Sequence, residues 1–134
     1  MRHARGYTLM EIMVVVLLLG LLMAVAVPSM LDIMVQQERK IAHTQAEQLA
    51  TNVETFRLLN GRYPTSGEGL DALVHPPAGK SPVLRKLPED PWKQRYLFSL
   101  PGEHNPGWFD VRSTGPDRLE KTRDDVGNWE LEES

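Results

Sequence analysis

The chain has no cysteine in its 134 residues, which excludes a disulfide framework, a thiolate nucleophile and a cysteine-ligated zinc site. It also lacks an excess of basic charge. Fifteen Lys and Arg stand against 18 Asp and Glu, for a formal charge of −3, so the electrostatic footprint of a nucleic-acid binder is missing. The length suits one domain, or a small domain with an appendage. What is present is unevenly spread. All six methionines fall within residues 1–34, and nine of the ten prolines lie between Pro64 and Pro116. The first segment has the composition of a lipid-facing one and the last that of a loop-rich one.

From Ile12 to Leu31 run 20 residues without a charged side chain. At about 1.5 Å per residue a helix of this run spans roughly 30 Å, the thickness of a bilayer's hydrocarbon core. The run is apolar on every face, unlike a surface helix. It is too long for the apolar region of a secretory signal peptide, and it passes through Pro28 into a helical pattern without a clean cleavage motif. Arg2 and Arg5 precede it and Asp32 follows. The positive-inside rule therefore keeps the N-terminus cytoplasmic and exports everything after about residue 32.

Glu11 stands at the edge of this run, where an acidic side chain costs on the order of 2.5–3.5 kcal/mol if it reaches the bilayer centre. Thr8-Leu9-Met10-Glu11 fits the S/T-x-x-E capping box, which satisfies free amides at a helix start, and a glutamate there complements the helix dipole. A second role is charge pairing, because a carboxylate in apolar surroundings is tolerable beside a cation.

Gly6-Tyr7-Thr8-Leu9-Met10-Glu11 resembles the processing signal of type IV pilins and pseudopilins. Members of that superfamily are cut after a glycine, carry an aromatic residue next and a glutamate four positions further on. The short basic leader MRHARG and the apolar run complete the pattern, and Tyr7 in place of the usual Phe keeps the ring. The resemblance implies cleavage after Gly6 and methylation of the new amine at Tyr7.

Beyond Leu31 the apolar positions Val35, Ala42, Ala46, Leu49, Val53 and Phe56 keep a helical period, and Asn60-Gly61 is a C-terminal stop. The pattern predicts one helix from about residue 7 to 59, bent or locally melted at Pro28 and Ser29. Residues 61–134 number only 74, few for a self-sufficient core, so the long helix, a metal or both must staple them. Within them residues 68–74 read as a short helix. Residues 95–100 and 108–112 read as strands of a small antiparallel sheet, with a third short strand near Asn128-Trp129.

Three further strings carry a more specific resemblance. Arg62-Tyr63-Pro64-Thr65 with Gly69-Leu70-Asp71-Ala72-Leu73, Leu87-Pro88-Glu89-Asp90-Pro91-Trp92, and Ser113-Thr114-Gly115-Pro116-Asp117 with Asp124-Asp125-Val126-Gly127-Asn128-Trp129 are similar to elements of the major, G-type pseudopilins of type II secretion systems. Ordinary type IV pilins share only the N-terminal part and commonly close a C-terminal loop with a disulfide, which this chain cannot form.

Asp117, Asp124 and Asp125 fall within nine residues among turn formers. Aspartates in such loops commonly make turns with their own backbone. Calcium is the sharper alternative, since it takes six to eight oxygens from carboxylates and carbonyls in flexible loops. On spacing alone the signal is weak, and the segment is no EF-hand. The resemblance implies a calcium site held by Asp117, Asp124, Asp125 and the Thr114 backbone oxygen. Against it stand Arg118, where the family usually has glycine and where arginine disfavours a left-handed turn, and Arg123. Lys93 likewise stands where the family usually has glycine.

Catalytic signals are absent. Gly67-Glu68-Gly69-Leu70-Asp71-Ala72 matches a dinucleotide fingerprint on paper, but no βαβ unit surrounds it. His3, His43, His75 and His104 have no metal-pair spacing, and no nucleophile elbow or Walker loop occurs. Glu89 and Asp90, neighbours between prolines, read as solvated charges. Trp92, Trp108 and Trp129 read as core anchors.

The expected fold is therefore α+β and pilin-like: a long N-terminal transmembrane helix packed on a small antiparallel sheet, with a C-terminal calcium-binding loop. It divides into a leader (1–6), a transmembrane and polymerisation helix (7–31), its amphipathic continuation (32–60) and a periplasmic region (61–134). The expected function, implied by the resemblance, is that of a non-enzymatic major pseudopilin, single-pass in the inner membrane of a Gram-negative bacterium. Its implied partners are further copies of itself in a helical homopolymer, minor pseudopilins, a prepilin peptidase/N-methyltransferase, the inner-membrane platform with its ATPase, and lipid before assembly. The alternatives are a minor pseudopilin or type IV pilin subunit, or a membrane-anchored periplasmic binding protein that never polymerises.

Overall fold

The computed structural model describes residues 6–130; the predicted leader, apart from Gly6, lies outside them. The chain divides into two compact units, residues 1–36 and 37–134. Helix α1, Leu9–Asn60, contributes to both. In the first unit the described side chains of α1 are exposed, and among the described residues α1 is the one helix long and apolar enough to cross a membrane. The expected melting at Pro28 does not occur, for the backbone is helical through Pro28 and Ser29. One missing amide removes one bond from a long ladder, and the turns on either side hold the rest. The helix stops as expected: Gly61 takes a left-handed φ of 75°, its amide donates to Arg57 O at 2.7 Å, and Asn60 Nδ2 donates to Phe56 O at 2.9 Å.

In the second unit the predicted stripe is buried at Ala42, Ala46, Leu49, Val53 and Phe56. Val35, at the head of the predicted stripe, is exposed and belongs to the first unit. The core is completed by Leu70, Ala72 and Leu73 from a short 3₁₀ helix (Gly69–Leu73) and by Tyr96, Phe109 and Val111. Phe109 is fully buried and meets Tyr63, Phe98 and Trp108 at centroid distances of 5.4, 5.6 and 4.3 Å. The turn after α1 is braced by Arg62, which donates to both oxygens of Glu68 at 2.7 and 2.8 Å. That guanidinium, aided by the Thr65 amide and hydroxyl, holds the Glu68 carboxyl down at about 2.

The sheet has three antiparallel strands in the order β1 (Leu97–Ser99), β2 (Asp110–Ser113) and β3 (Val126–Gly127). Phe98 pairs with Val111, Arg112 with Gly127 and Ser113 with Val126. The third strand lies just before the position expected for it. Its pairing is set by β2, and the Asn128 side chain closes the ladder by accepting from Val111 N at 2.9 Å.

Polar tips of aromatic residues tie this layer to α1. Trp92 Nε1 donates to Glu38 Oε2 at 3.1 Å, Trp108 Nε1 to Glu54 Oε1 at 2.8 Å, and the Tyr63 hydroxyl to Glu54 Oε1 at 2.7 Å. The Tyr96 hydroxyl donates to Gln45 Oε1 at 2.6 Å. Burial works against charge on Glu54, but the bonds from Arg57, Tyr63 and Trp108 outweigh it and hold its carboxyl below the usual range. The three tryptophans are thus not fully buried anchors: Trp108 is 37% exposed, and each spends its ring on packing and its rim on solvent.

Asp90 corrects a second expectation. It is not a solvated charge but 2% exposed. Its Oδ1 accepts from Trp92 N at 3.0 Å and Gln94 N at 2.7 Å, and its Oδ2 accepts from the Ser113 hydroxyl. This carboxylate closes the Asp-Pro-Trp turn, where Lys93 takes a left-handed φ of 64°, and fastens it to β2.

Candidate functional site

Two places carry the expected functional residues, one in each unit. In the first, Gly6, Tyr7 and Thr8 form non-helical, exposed chain ahead of α1. Nothing lies within 4 Å of a Cβ built on Gly6, and Tyr7 is 80% exposed. The Gly6–Tyr7 peptide is therefore exposed on the described side. The capping box forms in both directions: Glu11 N donates to Thr8 Oγ1 at 3.2 Å, and Thr8 N donates to Glu11 Oε2 at 3.5 Å. Glu11 is thereby held at the helix start, one turn above Val14 and Val15, with which it lines a shallow surface groove.

In the second unit β2 delivers the chain into the C-terminal loop, residues 114–125, and β3 receives it. The entry turn is fixed by Ser113 Oγ, which accepts from Gly115 N at 3.0 Å. Gly115 has φ of 69°, and a Cβ there would meet Asp124 O at 2.3 Å. Only glycine fits, and the two ends of the loop touch through this backbone approach.

The expected calcium ligands are not gathered. Asp117 is exposed, and its Oδ1 accepts from Leu119 N at 2.9 Å, a turn with its own backbone. Asp125 is buried, its oxygens accepting from Lys121 N at 3.0 Å and from Thr122 N and Oγ1 at 3.4 Å. Asp124 meets Gly115 through its backbone, and Thr114 is buried. Among the described residues no group of three or more acidic or histidine side chains is disposed to hold a metal ion. Calcium takes six to eight convergent oxygens, and here the carboxylates of Asp117 and Asp125 are each engaged by amides of the loop itself. Arg118 takes the left-handed φ of 60° that arginine was expected to disfavour. The penalty of about 1–2 kcal/mol is offset by the Asp117 cap on the next amide.

Two residues that the sequence did not mark out shape the loops on either side of β2, Arg112 the C-terminal loop and Asp110 the β1–β2 connection. Arg112 is buried in β2, with Nη2 2.7 Å from Glu120 Oε2 and Nη1 3.8 Å from Asp125 Oδ2. Asp110 is 1% exposed and accepts from the amides of Glu103, His104 and Asn105 at 2.7, 2.8 and 3.0 Å and from Asn105 Nδ2 at 2.9 Å. Burial opposes its charge, but these donors prevail and hold its carboxyl below the usual aspartate range. Alternation along β2 sets Asp110 and Arg112 on the face opposite the core residues Phe109 and Val111, so no signal in the sequence marks either as buried.

The end of the loop is seated by an indole. Trp129 stacks on His104 with centroids 3.7 Å apart and planes 6° from parallel, and a Cβ on Gly127 would meet its ring at 2.0 Å. Gly127 O accepts from His43 Nδ1 of α1 at 2.7 Å, which fixes the proton on that nitrogen because a carbonyl only accepts. Gly127→Ala is therefore expected to push Trp129 off His104, with a loss of about 1–3 kcal/mol and a red shift of tryptophan emission. Unchanged emission would show that the ring does not need the glycine.

Residues 29–129 match the family model described as type II secretion system (T2SS), protein G, and residues 1–27 match the prokaryotic N-terminal methylation motif. A type II secretion system core protein G of Dickeya chrysanthemi is 38% identical over 97% of this chain and 89% of its own length. One from Klebsiella pneumoniae is 36% identical over 98% of both chains. The crystal structure of the major pseudopilin from the type 2 secretion system of enterohaemorrhagic Escherichia coli superposes with a TM-score of 0.63 at 34% identity, covering 70% of this chain and 88% of that one.

Proposed function

The chain belongs to the protein G family of type II secretion systems, and on that footing we propose that it is a major pseudopilin, cut after Gly6, methylated at Tyr7 and polymerised into a pseudopilus. The observation that carries the reading is the exposed Gly6–Tyr7 peptide joined to a formed capping box whose acid is Glu11. The membrane-anchored precursor is single-pass, with Arg2 and Arg5 keeping its N-terminus cytoplasmic and the remainder facing the periplasm of a Gram-negative cell. A prepilin peptidase/N-methyltransferase is the processing partner. An inner-membrane platform and its ATPase add subunits, and minor pseudopilins join the same assembly.

In the filament the apolar part of α1 leaves lipid and bundles with its copies. Glu11 then needs a partner, and the amine freed at Tyr7 of a neighbouring copy supplies one. A misplaced subunit strands a desolvated carboxylate, so the pair sets axial register. Growth at the membrane pushes folded proteins toward an outer-membrane channel. A membrane-anchored binding module would need none of this chemistry at its N-terminus.

The processing step is testable directly. Intact-mass measurement on the chain purified from cells that contain the peptidase should show Tyr7 as a monomethylated first residue, and Gly6→Leu should retain the leader. Recovery of the uncut wild-type chain in those cells would remove the basis for assembly.

A further inference from the structure

The C-terminal loop solves a charge problem, and the structure shows how. Asp117, Glu120, Asp124 and Asp125 put four negative charges between β2 and β3, yet residues 112–125 also carry Arg112, Arg118, Lys121 and Arg123. The segment is neutral by its own composition. Among the basic residues Arg112 differs in kind, because it is buried at 7% exposure within a strand whose four residues are all buried.

A guanidinium in that position is tolerable only beside anions. It has two, Asp125 at 3% side-chain exposure and Glu120 at the rim. Its Nε, by contrast, has no hydrogen-bond partner. The group is thus held by charge more than by complete hydrogen bonding. The antiparallel register places it at the mouth of the loop, since Arg112 pairs with Gly127, two residues beyond Asp125. Lys121 reaches away from the loop to Glu103 at 2.6 Å, tying it to the β1–β2 connection.

We propose that the Arg112 guanidinium supplies, from within the chain, the positive charge that the loop's buried carboxylate requires, so that this loop folds without calcium. Asp125 is then the hub. It pairs with Arg112 on one side and on the other accepts the amides of Lys121 and Thr122, where Lys121 is left-handed at φ 63°. The inference concerns the folded chain itself and holds whether or not the chain polymerises.

The test is a thermal melt of the full chain in detergent micelles, in excess chelator and again in several millimolar calcium. Wild type is expected to melt within about 1 °C in the two conditions, against the several degrees that a saturated site would add. Asp125→Asn keeps an oxygen for the Lys121 amide but removes the buried anion, leaving the guanidinium only Glu120 at the rim. It should lower Tm by on the order of 5 °C or more, equally with and without calcium. Arg112→Met should lower Tm as well, by stranding Asp125. A calcium-held loop gives the opposite result in chelator, where removing one of several repelling carboxylates leaves Tm unchanged or raises it. That outcome, or a saturable calcium shift of several degrees in wild type, would overturn the proposal. If Arg112→Met does not fold, the wild-type and Asp125→Asn melts decide the matter alone.

Discussion

Glu11→Leu is expected to leave the chain in the membrane and out of the filament. Insertion should not suffer, because the change removes an acidic group from the edge of the apolar run and with it an expense of up to about 2.5–3.5 kcal/mol. The capping box is lost, at about 0.5–2 kcal/mol of helix start. Assembly loses more, since a buried amine stranded without its carboxylate costs about 3–5 kcal/mol, a hundredfold to a few thousandfold per contact. Glu11→Gln separates the two roles. Glutamine serves a capping box as well as glutamate does, so its bond from Thr8 N survives while the charge is gone. Both variants should fail to polymerise if the charge sets register, and rescue by glutamine alone would reduce Glu11 to a cap. The readout is cross-linking between introduced cysteines, which has no background because the chain has none of its own.

Asp110→Asn carries the largest expected loss in the second unit. Its carboxylate gathers three backbone amides and one side-chain amide, and Gly102 lies so close that a Cβ there would meet Oδ1 at 2.5 Å. An asparagine nitrogen turned into this nest faces donors, so the variant should lose about 2–4 kcal/mol, on the order of 10 °C in Tm. The pH dependence gives the sign independently. Because the folded pKa lies below the ordinary value, the contribution is fully present above about pH 4 and is lost as pH falls through the folded value. Asp110→Asn should therefore be less stable than wild type at neutral pH, with the gap closing in acid. A gap that stays constant between neutral pH and about pH 2 would mean that the ionised form is not what the nest holds.

What the sequence made legible was local or periodic. The capping box at Thr8 and Glu11, the stop at Asn60-Gly61 and the stripe from Ala42 to Phe56 each depend on residues within a turn or two, and each is found. The strands fall at or within two residues of the expected stretches, because composition marks a strand while its partner fixes the ends. Of the bend or local melting expected at Pro28, melting is absent, because one lost bond inside a long helix does not melt it.

The buried charges were illegible for a different reason. Asp90 is buried through Ser113, 23 residues away, and nothing between its flanking prolines signals that partner. Asp125 was read as one of three equivalent carboxylates, yet Arg112 across the ladder singles it out. Spacing lists which charges are near in sequence; burial and strand register decide which of them meet.

The bonds from Trp92, Tyr96, Trp108 and Tyr63 to Glu38, Gln45 and Glu54 have one further consequence, for the transmission of force. The outermost acceptors, Glu38 and Glu54, stand 16 positions apart on α1, about 24 Å of helix. Sliding the helix by a single residue would shift each acceptor by about 1.5 Å and turn it by about 100°, breaking the whole set together. A pull along α1 is therefore borne as shear by all of these links in parallel, not by one after another as in a zipper. The outer layer yields to such a load only when the whole seam does.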